Sequence, residues 1–147
     1  QIGQGISGGG VLVGHRESNG RTTQFVYATT AGVQGGGSMN VTYTLVQDTT
    51  VQVETWDEQQ QAHVSEDITL YRLERTEGSG TARTVMSDIR EWKVELLDAD
   101  GDVTGVLADV RQLQVRVKCM FTFGAGDTQV VHQTVWGTTF QPTGLRL

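Results

Sequence analysis

The sequence predicts a mainly β protein built from antiparallel strands with little helix. Three observations lead there. Short runs alternate apolar and polar residues with period two. Turn residues separate them, with nineteen glycines against a single proline, Pro142. Val and Thr are plentiful, and β-branched residues favour strands over helices. No long window carries a helical period, and no repeat of fixed length appears.

Taken in order, residues 1–10 (QIGQGISGGG) form a glycine-rich lead-in. No G-K-[ST] follows it, so it is not a phosphate loop. Residues 11–147 then form one β-rich globular domain. Val11–Val13 and Thr22–Ala28 form a hairpin, because Asn19-Gly20 suits a two-residue turn with both residues at positive φ. Gly32–Ser38 is a flexible loop. Met39–Gln47 and Val51–Trp56 are strands with valine, tyrosine and leucine on alternate positions. Asp57–Asp67 is polar and acidic and reads as an exposed loop. Ile68–Glu74 is a strand, and Thr76–Thr81 a turn. Ala82–Ile89 leads into Glu91–Leu97, where Trp92, Val94 and Leu96 alternate. Asp98–Asp102 is a tight turn, and Val103–Leu107 a short strand or loop. Val110–Phe123 is the longest alternating run and is expected at the sheet's centre. Gly124–Asp127 turns it into Thr128–Trp136, and Thr138–Leu147 is an edge or tail.

Composition narrows the function classes. The chain has 147 residues, enough for a core without metal or disulfide staples. Its net charge of -6 repels phosphate backbones, so direct nucleic-acid binding is disfavoured. Any local basic patch is expected in the strand-like run 111–118, where Arg111, Arg116 and Lys118 are the only cations. The single cysteine, Cys119, forms no internal disulfide and offers no C-x-x-C site. It sits in an apolar run and reads as a buried structural thiol. No segment approaches the ~20 apolar residues of a membrane-spanning helix.

No catalytic constellation stands out, and the chain reads as a non-enzyme. His15, His63 and His132 lack metal-ligand spacing. No serine sits in G-x-S-x-G. Asp98, Asp100 and Asp102 resemble a calcium loop, but the glycine is misplaced and no Glu stands at the twelfth position. They read first as an acidic hairpin turn and second as weak calcium ligands, and no other cofactor is indicated. Trp92 alternates with core residues and reads as core. Trp56 and Trp136 end their strands and are candidate anchors for a partner.

From Ile68 onward the order of features becomes specific. Ile68-Thr69-Leu70-Tyr71-Arg72-Leu73-Glu74-Arg75 is a strand ending in L-x-R type. Val85–Leu97 is a hydrophobic-polar segment closed by the Asp98–Asp102 turn. Val110–Phe123 follows, and the chain closes on Thr138-Thr139-Phe140-Gln141-Pro142-Thr143-Gly144-Leu145-Arg146-Leu147. This half resembles PilW-like minor pilins and the type II secretion pseudopilin J family. Val41–Leu45 matches their earlier V-x-Y strand. Thr143-Gly144-Leu145 departs from the family's usual Arg-Asn ending, and the long N-terminal helix is not among these residues. The resemblance implies a pilin-like β head truncated of that helix. It implies a filament subunit of the cell envelope, periplasmic or extracellular. Its partners would be other pilin or pseudopilin subunits, and the helix would anchor it in the membrane. Such a head caps, primes or helps assemble a type IV-like filament by packing, for adhesion, motility, secretion or DNA uptake. The apolar sheet face is then expected to await that helix. The alternatives are an extracellular β-sandwich module for a ligand or carbohydrate, and a viral structural β-protein.

Overall fold

The computed structural model describes residues 11–30, 37–124 and 130–140. The glycine-rich lead-in, most of the Gly32–Ser38 loop, most of the Gly124–Asp127 turn and the Pro142 tail lie outside the described residues. Seven strands follow one another as a meander: β1 (Val11–Ser18), β2 (Arg21–Thr29), β3 (Met39–Asp57), β4 (Ala62–Glu77), β5 (Arg83–Leu97), β6 (Gln112–Phe123) and β7 (Val130–Phe140). They form one antiparallel sheet in the order β1-β2-β3-β4-β5-β6-β7. One turn of 3-10 helix, Leu107–Asp109, is the single helical element among the described residues.

The first hairpin follows its sequence signal. Ser18 pairs with Arg21, and Asn19 and Gly20 take φ of 51° and 74°. Those are the two positive angles that a type I′ turn needs, and its twist matches that of the strands.

Three expectations are corrected. The acidic stretch 57–67 is strand on both sides of a four-residue turn: Asp57 pairs with Ala62, Trp56 with His63 and Val53 with Glu66. Polarity there reflects a solvated ribbon, which needs no apolar alternation on its outer face. The Asp57 carboxylate closes that turn by accepting from the backbone N–H groups of Gln59 and Gln60 at 2.8 and 3.1 Å. Next, the two strands expected over 39–56 are one strand of 19 residues, the longest in the sheet. Asp48 is an extra residue in its ladder, and Arg72 on β4 pins this bulge with a 3.2 Å bond to the Asp48 carboxylate. Finally, β6 is sixth of seven strands rather than central.

The bulges decide which face each residue serves. Opposed residues in a ladder share a face, and neighbours along a strand alternate. Ile89 pairs with Cys119 and Trp92 with Val117, because Arg90 is extra in β5; both buried side chains thus share the inner face. The sheet curls until β2 packs on β5. Phe25, Tyr27, Val41, Tyr43, Leu73, Ile89, Trp92, Val94, Leu113, Val115 and Val117 are buried together between its two halves. The sheet therefore covers this part of its own apolar face, where a helix had been expected. A smaller cluster of Val53, Ile68, Leu70 and Met120 lies on the opposite face. Met120 alternates with Val117 and Cys119, so the far arm of β3–β4 crosses the back of β6–β7.

Candidate functional site

Two regions gather chemistry-bearing or exposed apolar side chains. The first is an open cleft of about 360 Å³ where β1 meets β5 and the 97–110 connection. Its walls carry His15, Glu17, Lys93, Glu95 and Thr104. His15 lies on β1 opposite Phe25 and points toward the core. Its Nε2 is 3.2 Å from the hydroxyl of Thr22 and 3.7 Å from a carboxylate oxygen of Glu17. Burial pushes the imidazole below its ordinary pKa, with Glu17 and the Val94 backbone pulling the other way and Lys93 adding to the depression. Lys93 Nζ lies 3.5 Å from Glu95.

Imidazole, hydroxyl and carboxylate are the ingredients of a catalytic triad, but this arrangement does not match one. In a triad the acid holds the nitrogen remote from the hydroxyl. Here both Thr22 and Glu17 approach Nε2. Thr22 is fully buried, and its oxygen accepts the backbone N–H of Val94 at 2.8 Å. A hydroxyl so placed joins β2 to β5 and is closed to substrate. Nothing in the sequence announced this group, because Thr22 and Val94 are 72 residues apart.

The inner face around Tyr43 is likewise structural. Arg75 donates to the Tyr43 hydroxyl at 3.2 Å and also bonds Glu77. Burial pushes the Tyr43 phenol up to about 12. Glu77 is held below the usual carboxylate range by Arg75. Burial, with the charge of Asp88 adding to it, raises the pKa of the half-buried Cys119 thiol.

The Asp98–Asp102 turn is held by its own backbone. The Asp98 carboxylate accepts N–H bonds from Asp100 at 2.9 Å and Asp102 at 3.0 Å, and Gly101 takes a φ of 85°. Among the described residues no three acidic, histidine or cysteine side chains converge as a metal site, and that includes Asp98, Asp100 and Asp102.

The second region is apolar. Register places Trp136 opposite Val117, His132 opposite Phe121 and Thr134 opposite Cys119. Phe121, Phe123 and Trp136 thus share the face of the buried Val115 and Val117, yet they are 38%, 61% and 55% exposed. The inner face of β6–β7 runs past the point where the curled sheet covers it. Trp56 lies elsewhere, 51% exposed near the tip of β3–β4, its ring meeting His63 edge-on at 5.2 Å. The two tryptophans are therefore separate surface features and do not line the polar cleft. Trp92 is buried, as its alternation indicated.

No protein-family model matches this chain, and no curated protein or solved structure does. Among the described residues no helix is long and apolar enough to cross a membrane.

Proposed function

We infer that this chain is a non-catalytic assembly subunit, a β head of minor-pilin or pseudopilin type that works by packing against other subunits of a filament at the cell envelope. The observation that carries the reading is the uncovered strip of Phe121, Phe123 and Trp136, which continues the core face of β6 into solvent. Large aromatic side chains are the residues that most often anchor protein contacts. The motif order from Ile68 onward supports the family assignment. His15 and the Thr22 hydroxyl beside it are engaged in joining β1 and β2 to β5.

The test is incorporation. A tagged chain expressed in its own host is expected in purified surface filaments or in the secretion complex. Phe123→Glu with Trp136→Glu, both at exposed positions, is expected to keep the circular-dichroism spectrum and to drop out of that fraction. A wild-type chain that never fractionates with an envelope filament would sink the reading.

A further inference from the structure

The two edges of the sheet are built differently. The β1 edge is short, carries Arg16 and Glu17, and shifts register twice along its ladder with β2. Bulges and charges are the ordinary devices that stop an edge strand from pairing with another chain. The β7 edge has neither. Its eleven residues, VVHQTVWGTTF, contain no Asp, Glu, Lys or Arg, and its ladder with β6 runs from Phe123–Val130 to Leu113–Phe140 without a shift. No described strand lies beyond it.

We propose that β7 pairs antiparallel with β7 of a second copy of this chain about a two-fold axis through Thr134, extending the sheet across the dimer. Three features select a second copy and this register. The strand is neutral, so self-pairing meets no local repulsion although the whole chain carries -6. Centring on Thr134 sets His132 opposite the partner's Trp136, and Trp136 opposite the partner's His132. The molecule already makes that cross-strand pair, since Trp56 and His63 are in register with their rings 5.2 Å apart. The same register sets Gly137 opposite the partner's Val131, and a glycine leaves room for the branched side chain. His132 and Trp136 share the face of Phe121, so the apolar strip would become continuous through the interface. A two-fold contact of this kind is closed and stops at the dimer. The pairing does not depend on the filament reading, and it is measured on the purified chain alone.

Thr134 decides the matter. The expected result for the full chain is a concentration-dependent monomer–dimer equilibrium in sedimentation velocity. Thr134 also faces Cys119 across β6–β7, so the crosslinking variants carry Cys119→Ser. In that background Thr134→Cys is expected to give a disulfide-linked dimer under mild oxidation, because directly opposed residues lie within disulfide reach. Thr138→Cys is expected to give no disulfide-linked dimer, since its opposite number is the partner's Val130. Thr134→Lys sets two lysines face to face and is expected to weaken the dimer about fivefold or more, with the monomer's circular-dichroism spectrum unchanged. A chain that stays monomeric at sub-millimolar concentration overturns the proposal. So does a dimer that crosslinks no better through position 134 than through position 138.

Discussion

The hydroxyl of Thr22 on β2 accepts the backbone N–H of Val94 on β5 at 2.8 Å, in a fully buried position. This bond ties together the two halves of the curled sheet across its core. Thr22→Val keeps the shape and removes the acceptor, leaving a buried N–H without its partner. Such a group costs about 1–3 kcal/mol, so urea unfolding should show a loss of that size. Thr22→Ser should recover most of it. If Thr22→Val unfolds at the wild-type midpoint, the bond contributes nothing to closure.

His15 makes stability depend on pH. Burial, the largest influence, lowers its pKa in the folded chain below the ordinary 6.5. The unfolded chain therefore takes up this proton first as the pH falls. Its contribution is fully present above about pH 6.5 and declines as the pH drops from there to the folded pKa, below which it is flat. Glu17, Lys93 and Glu95 share the cleft with it. The thermal midpoint of His15→Gln should vary less than wild type between pH 7 and pH 5. Parallel curves for the two proteins would contradict this.

Trp92 and Trp56 should separate by position. Trp92 is buried between β2 and the sheet's other half, so Trp92→Ala should cost about 3–5 kcal/mol. Trp56 is half exposed on the β3–β4 ribbon, and Trp56→Ala should stay within about 0.5 kcal/mol. Fluorescence-monitored guanidinium melts of the two variants read the difference directly.

Asp98 acts on the backbone of its own turn. Asp98→Ala removes the acceptor for two N–H groups and should lower stability by about 1 kcal/mol in denaturant melts. Millimolar calcium should leave the wild-type melting temperature unchanged, because the three carboxylates of this turn do not converge. A calcium-dependent rise that Asp98→Ala abolishes would restore the site considered from the sequence.

Much of the fold was legible in the chain itself. Period-two alternation marked out the strands, Asn19-Gly20 named its turn type, and Trp92, Val94 and Leu96 declared their buried face. Those signals are local: each depends on how one residue's backbone and side chain relate to neighbours two to four positions away. What the sequence did not determine is non-local. Asp48 and Arg90 are extra residues in their ladders, and an extra residue is visible only against a partner strand. The polar ribbon 57–67 carries no alternation, so its pairing showed only once β3 and β4 met. The same holds for the curl that covers the core. It depends on β2 reaching β5 through Thr22 and Val94, and with it comes the decision to bury Val117 and leave Phe121, Phe123 and Trp136 in water. Alternation sets which side chains share a face; the path of the other strands alone decides how much of that face is covered.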